Sequence, residues 1–308
     1  MNILLIVGGL ILLILGGNWL LKAAVALSLK LEIPKIVIGM TVVSFATSAP
    51  ELIVSVNAAL EGFPDIAMGN VIGSNIANLG LVLGITVMLT TIDVERSFYK
   101  TDWPVMMLAS VLLFLFVFYD DVLSRVEGVI LFTALIAFLV YLLKFQKPAV
   151  VDDYAEDDEP LELYKVVLFL VLGGVALWGG SESLIRGAVG MAESFGVSKR
   201  VIAITVVSIG TSIPELAASV IAVMKREKAI SLGNLIGSNV FNILAVLGIT
   251  SMVHPITVDK AFSSDLYWML AFAFVVLPLV FLPKGLRLGW RDGLVLLGSY
   301  VFFVYLTI

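Results

Sequence analysis

The sequence predicts an all-α membrane protein of ten transmembrane helices, built as two inverted five-helix repeats. Three observations predict it. Hydrophobic residues make up 60% of the 308 positions and charged residues only 14%, against about 45–50% and about 25% in soluble domains. The apolar residues fall in runs near the roughly 20 that a spanning helix needs, separated by short polar punctuation. The chain also matches itself at a fixed shift of 164 residues.

The composition excludes several classes outright. A mean hydropathy of +1.08 leaves too little polar surface for a soluble enzyme, a disordered chain or a nucleic-acid binder. With no Cys there are no disulfides, thiolate nucleophiles or Cys-ligated metals. His254 is the only histidine, which argues against His-based triads and multi-His metal sites.

Taken in order, the spans are expected near 2–27, 35–60, 66–90, 102–119, 124–144, 164–188, 199–224, 229–253, 265–283 and 290–307. The first starts at Ile3 with neither a basic leader nor a small-residue cleavage site, so it reads as a span rather than a signal peptide. Trp103, Trp268, Trp290 and Tyr99 fall near span ends, where amphipathic rings favour the interface. Residues 1–145 form the first repeat and 164–308 the second. Between them, 146–163 carries Asp152, Asp153, Glu156, Asp157, Asp158, Glu159 and Glu162. It lacks the glycine-containing loop of an EF-hand and reads as a solvated linker.

Alternating ten spans places 14 Lys and Arg on one side, the linker's side, and 5 on the other. The positive-inside rule makes the first side cytoplasmic. Both termini are then outside, and a cell (plasma) membrane location is expected. Lys22 snorkels towards the cytoplasm. Glu182 and Arg186, four apart near the outer end of the sixth span, are expected to pair.

The self-match is dense. Thr41-Val42-Val43-Ser44 falls on Thr205-Val206-Val207-Ser208, Thr47-Ser48 on Thr211-Ser212, and Pro50-Glu51-Leu52 on Pro214-Glu215-Leu216. Gly69-Asn70 falls on Gly233-Asn234, Ile72-Gly73-Ser74-Asn75 on Ile236-Gly237-Ser238-Asn239, and Asn78 on Asn242. The shift holds through Gly84 and Gly248. Five spans is an odd number, so the second copy enters the membrane upside down. Inverted repeats of this kind mark secondary transporters with a midplane binding site.

Glu51 and Glu215 stand in the middle of their apolar spans. A carboxylate at that depth must be protonated, paired or bound to a cation, and no Lys or Arg lies at a comparable depth in these spans. One such Glu could be a protonated structural group; two at equivalent places in an inverted duplication argue for cation binding. Pro50 and Pro214 precede them and free the carbonyls of Ala46 and Gly210. Each span is therefore expected to break around its Thr-Ser pair, presenting carbonyl oxygens to cations; a kink serving packing alone is the alternative. Thr47, Ser48, Glu51 and Ser55 share one helix face, as do Ser74 with Asn78 and Ser238 with Asn242. An all-oxygen lining suits hard cations, with Ca²⁺ accepting about six to eight oxygens. The small-residue spacing of Gly69, Gly73, Gly80, Gly84, Gly233 and Gly237 reads as close helix packing.

Ser44-Phe45-Ala46-Thr47-Ser48-Ala49-Pro50-Glu51 and Ser208-Ile209-Gly210-Thr211-Ser212-Ile213-Pro214-Glu215 resemble the paired α-repeat motifs of the sodium/calcium exchangers. The Gly-Asn-x-x-Gly-Ser-Asn segments at 69–75 and 233–239 resemble the following part of each motif. The resemblance implies ten helices, with the second, third, seventh and eighth around one Ca²⁺ site and several Na⁺ sites. It implies that Glu51 and Glu215 ligate Ca²⁺ with the carbonyls of Thr47 and Thr211. Ser48, Ser74, Ser212 and Ser238, with the carbonyls of Ser44 and Ser208, would hold Na⁺. Asn78 and Asn242 match the central polar pair, where many relatives carry an Asp at one position; K⁺-dependent relatives use an acidic residue at the second-repeat position, so Asn242 argues against K⁺ co-transport. The first and sixth helices resemble a sliding pair that changes access.

These readings make the chain an antiporter exchanging Na⁺ for Ca²⁺, not an enzyme. The ions are cargo, no cofactor is called for, and the bilayer is the partner, with neither nucleic acid nor an obligatory protein partner expected. A Ca²⁺/H⁺ antiporter using the same glutamates is the alternative; the serines and the Ser-x-Pro-Glu sequences favour Na⁺. An intramembrane acid/base hydrolase lacks any accompanying nucleophile or oxyanion donors, and a channel would ordinarily need symmetric assembly around a pore.

Overall fold

The structure is a computed structural model that describes residues 1–145, 161–195, 210–258, 262–282 and 285–307. Its long elements, among the described residues, are all helices. We number the helices α1 (Asn2–Leu31), α2 (Lys35–Leu60), α3 (Pro64–Leu89), α4 (Phe98–Tyr119), α5 (Arg125–Phe145), α6 (Leu163–Ser194), α7 (Ile213–Met224), α8 (Lys228–Val253), α9 (Phe262–Phe281) and α10 (Trp290–Thr307). Among the described residues, eight of these, all but α7 and α10, are long and apolar enough to cross a membrane by length and composition. The expected boundaries hold to within a few residues for most spans; α1 and α6 extend further, reaching 30 and 32 residues. Most of the predicted linker lies outside the described residues.

Among the described residues, four two-residue strands join the helix ends: β1 (Ile92–Asp93), β2 (Val122–Leu123), β3 (Ile256–Thr257) and β4 (Arg287–Leu288). β1 pairs antiparallel with β4, and β2 with β3. Paired strands must lie on the same membrane face, so an even number of crossings separates them. From β2 to β3 the chain passes α5, α6, α7 and α8, which is even only if the short α7 also crosses. Each pair takes one strand from each half of the sequence, as an internal two-fold requires.

The duplication extends past the point where the sequence match ends. β1 and β3 keep the shift of 164, while β2 and β4 are related by 165. The caps of α5 and α10 obey the shifted register. Glu127 accepts hydrogen bonds from the backbone N–H and hydroxyl of Ser124 (2.7 and 2.8 Å), and Asp292 accepts from the N–H of Gly289 at 2.8 Å. Both are carboxylates closing the first helical turn from its third position. A one-residue difference between the halves, between the first and second strand of each, hides this equivalence from a fixed-shift comparison.

By packing, the chain divides into two compact units, each with segments from both halves: Met1–Thr47 with Gln146–Asn234, and Ser48–Phe145 with Leu235–Thr307. In the first unit, α1 and α6 lie against each other along their length. A Cβ on Gly9 would meet the carbonyl of Gly180 at 2.7 Å, and one on Gly16 the backbone N of Leu177 at 2.8 Å. Without a hydrophobic drive between helices in lipid, such small-residue seams let backbones approach and gain dispersion contact. Leu13, Leu20, Ile38, Leu177 and Ile221 close the core of this unit. Lys35 and Glu227 pair at 2.9 Å across the starts of α2 and α8.

In the second unit, α3 packs on α10 where Gly84 meets Gly293, and α8 on α5 where Gly248 meets Gly128, again equivalent seams from opposite halves. Trp103, near the start of α4, donates its indole N–H to the carbonyl of Ala273 at 2.7 Å. The helices differ in burial, with α2 intermediate at 56% of its most apolar stretch. α3 and α8 have 78% and 83% of their most apolar stretch buried, against 28–33% for α1, α4, α5, α6 and α9, so α3 and α8 are interior helices. The exposed faces carry Ile3, Leu4, Ile11, Val171, Phe274 and Phe302, a surface that only a bilayer solvates. Glu182 and Arg186 pair on the exposed side of α6.

Candidate functional site

The helices that carry the repeated motifs are not regular. α2 contains a π-turn at Gly39–Val43, α3 one at Asn78–Val82 and α8 one at Asn242–Leu247. A π-turn skips one step of the i→i−4 ladder and recurs at functional sites. Asn78 and Asn242 are the first residues of the two equivalent π-turns.

The expected break of the first motif is corrected by the structure. Ser44–Leu60 is one continuous helix with Pro50 inside it; the irregularity sits upstream, in the Gly39–Val43 π-turn. There the Ser44 hydroxyl donates to the carbonyl of Gly39 at 2.8 Å. The widened turn gives the chain one place to absorb the offset a proline ring imposes on an interior helix. In the second motif the expectation holds. Thr211 and Ser212 form a turn, and α7 begins at Ile213 with Pro214 in its first turn, where a missing N–H is harmless. Glu215 therefore lies in a helix N-terminal turn, where the dipole favours a carboxylate. Glu51 lies in a helix interior.

In the first unit, Ser44, Thr47, Ser212 and Glu215 are all buried, with Glu215 at 0% exposure. The Ser44 hydroxyl also donates to the carbonyl of Asn234 at 3.0 Å, and Thr47 Oγ1 donates to Asn234 Oδ1 at 3.2 Å. Asn234 Nδ2 in turn donates to Ser219 Oγ at 3.1 Å. Glycines make this possible. A Cβ on Gly39 would meet the carbonyl of Ile230 at 2.5 Å and the N of Asn234 at 3.0 Å, so α2 and α8 touch backbone to backbone beside these bonds.

In the second unit, Ser48, Glu51, Ser74, Ser238, Asn78 and Asn242 are buried, with Glu51 again at 0% exposure. Asn70 Nδ2 donates to Ser55 Oγ at 3.0 Å and to the carbonyl of Glu51 at 3.4 Å. The Asn70–Ser55 bond is the repeat equivalent of Asn234–Ser219. Asn242 Nδ2 donates to Asn75 Oδ1 at 3.1 Å, and Asn75 Nδ2 to the carbonyl of Asn239 at 3.3 Å. Ser208 lies outside the described residues.

Reasoning from sequence missed the supporting amides Asn70, Asn75, Asn234 and Asn239. Their signal was present, because all four belong to the repeated Gly-Asn-x-x-Gly-Ser-Asn segments. Replacing Asn234 with Ala removes the bridge between Ser219 and Thr47. We expect it to destabilise the protein by about 1–3 kcal/mol, read as a lower thermal midpoint in detergent.

The donor set has the chemistry of a hard-cation site. Among the described residues, the side-chain amide of Asn78, Oδ1 of Asn242 and Oγ of Ser212 are buried without a hydrogen-bond partner. An unsatisfied buried polar atom costs about 1–3 kcal/mol, and a bound cation relieves that cost at an oxygen. No three His, Cys, Asp or Glu side chains cluster among the described residues.

The model of a family described as sodium/calcium exchanger protein matches residues 1–144 and 165–308. The chain is 39% identical over 306 residues to the putative antiporter CaxA of Alkalimonas amylolytica, covering 97% of this chain and 96% of that one. It is 31% identical over 348 positions to the sodium/calcium exchanger MaX1 of Methanosarcina acetivorans, covering 98% and 97%. A solved structure of the sodium-calcium exchanger NCX_Mj is similar with a TM-score of 0.84 at 28% identity, covering 99% of this chain and 98% of that one.

Proposed function

The chain belongs to the sodium/calcium exchanger family of integral membrane antiporters, and from that premise we propose that it exchanges Na⁺ for Ca²⁺ by alternating access at Glu51 and Glu215. The observation that carries the reading is that these two carboxylates, 164 positions apart in the repeated motif, are both fully buried in apolar helices. Ca²⁺ is held by the two glutamates with the carbonyls of Thr47 and Thr211. Na⁺ is held by Ser48, Ser74, Ser212 and Ser238 with the carbonyls of Ser44 and Ser208. Asn78 and Asn242 face the central position as neutral ligands. The Ser212 hydroxyl and the Asn242 oxygen, unpartnered among the described residues, favour Na⁺ over H⁺ as the coupling ion, since a proton needs only the carboxylates.

Charge explains why exchange is obligatory. With both glutamates ionised, the empty site is doubly negative, and carrying it through a dry closed state is costly. One Ca²⁺ neutralises it, whereas a third Na⁺ leaves a single positive charge. A ratio of about three Na⁺ per Ca²⁺ then moves one charge per cycle, worth about 2.3 kcal/mol per 100 mV. With the basic face cytoplasmic, in a cell membrane that is negative inside, this drives Ca²⁺ outwards.

The test is ⁴⁵Ca²⁺ uptake into proteoliposomes loaded with Na⁺, at clamped potential. Uptake driven by the outward Na⁺ gradient and accelerated by an inside-positive potential is expected. Uptake driven by a pH gradient and indifferent to Na⁺ replaces Na⁺ with H⁺, and uptake indifferent to potential sinks the three-to-one ratio.

A further inference from the structure

A groove of about 390 Å³ runs between α4 and α5 in the second unit and reaches Leu244 of α8. No part of the ion site lines it. Its walls are apolar and widened by small side chains, Ala109 on α4 and Ala134 and Ala137 on α5. Along α4 it extends from Lys100 to Leu112, a rise of about 18 Å. One leaflet of the hydrocarbon core is about 15 Å deep. The deep end is consistent on all three helices, because Leu112, Ala134 and Leu244 stand 7, 9 and 9 residues from Tyr119, Arg125 and Val253 respectively. The groove is thus as long as one leaflet, open at the interface and closed near the midplane by the helix that carries Asn242.

Its open end is charged. Lys100 and Tyr141 line it there, both exposed. Lys144, also exposed, follows Tyr141 by one turn on α5. Neither lysine makes an ion pair or hydrogen bond among the described residues. A slot one leaflet deep suits an apolar chain, and two ammonium groups at its mouth that are unpaired among the described residues suit an anion.

We propose that this groove binds one acyl chain of an anionic phospholipid whose headgroup is held by Lys100 and Lys144. The chain lies along α4 and α5 with its end against Leu244, and the phosphate sits at the level of Lys100. The site is built from residues outside the repeated motifs and is independent of which ion couples transport.

Native mass spectrometry of the full chain tests it, after equilibration in micelles holding equal amounts of phosphatidylglycerol and phosphatidylcholine. One phosphatidylglycerol per chain is expected to survive release, in at least fivefold preference to phosphatidylcholine. Lys100→Gln combined with Lys144→Gln is expected to erase that preference, and Ala137→Phe to reduce bound lipid of either kind at least fivefold. Equal retention of the two lipids by the unaltered chain overturns the proposal. So does undiminished preference in the double Gln variant, whose exposed changes leave folding intact should Ala137→Phe fail to fold.

Discussion

Glu51→Gln and Glu215→Gln are each expected to lower Ca²⁺ transport at least about 100-fold while the protein stays folded. Gln keeps the volume and one oxygen but removes the charge that offsets Ca²⁺ dehydration. Removing one partner of a buried ionic interaction costs about 3–5 kcal/mol, and about 1.4 kcal/mol is a factor of ten. Stability should move the other way, because an ionised carboxylate buried in apolar surroundings is costly without its cation. The two variants should differ. Glu215 lies in the first turn of α7, where the helix dipole stabilises a carboxylate by about 0.3–1 kcal/mol, whereas Glu51 is inside a continuous helix. In Ca²⁺-free, Na⁺-free buffer, Glu51→Gln should therefore raise the thermal midpoint more than Glu215→Gln does. ⁴⁵Ca²⁺ uptake above a tenth of the unaltered rate in either variant removes that glutamate from the ion site.

The spans, the duplication and the buried motif residues were legible in the sequence because each rests on a strong, local signal. Apolar runs set the helices, and identity at one shift set the repeat. What escaped was set by backbone geometry. The same Ser-x-Pro-Glu pattern gives a continuous helix at Pro50 and a helix start at Pro214. The motifs differ locally at Ala46 against Gly210 and Ala49 against Ile213, and glycine and β-branched residues both favour a helix interior less than alanine does. Likewise the second strand of each half, β2 and β4, and the Glu127 and Asp292 caps follow a shift of 165, which only three-dimensional equivalence exposes. The supporting amides were visible as repeated letters, but their role required knowing that Asn70 reaches Ser55 and Asn234 reaches Ser219.

The repeated glycines were expected to serve packing alike, and the structure separates them. Gly233→Ala is expected to destabilise the protein by about 2–5 kcal/mol and to suppress Na⁺-driven Ca²⁺ uptake. A Cβ there would collide with the carbonyl of Ile36 and stand 3.1 Å from the N of Met40. Both are backbone atoms and cannot rotate away. Overpacking of this kind costs about 1–3 kcal/mol. Separating α2 from α8 also strains the Ser44 and Thr47 bonds to Asn234, each worth about 0.5–1.5 kcal/mol. At Gly69, the repeat equivalent, a Cβ meets only the ring edge of Phe262 at 3.2 Å, and a ring can yield. Gly69→Ala should fall between. At Gly73 nothing lies within 4 Å, so Gly73→Ala should be neutral or stabilise the helix by about 0.4–1 kcal/mol. The order of thermal midpoints is therefore Gly73→Ala above Gly69→Ala above Gly233→Ala. A Gly233→Ala protein as stable as the Gly73→Ala one would mean that α2 and α8 do not meet backbone to backbone. The Ser44 and Thr47 bonds to Asn234 would then lose the close approach that positions them.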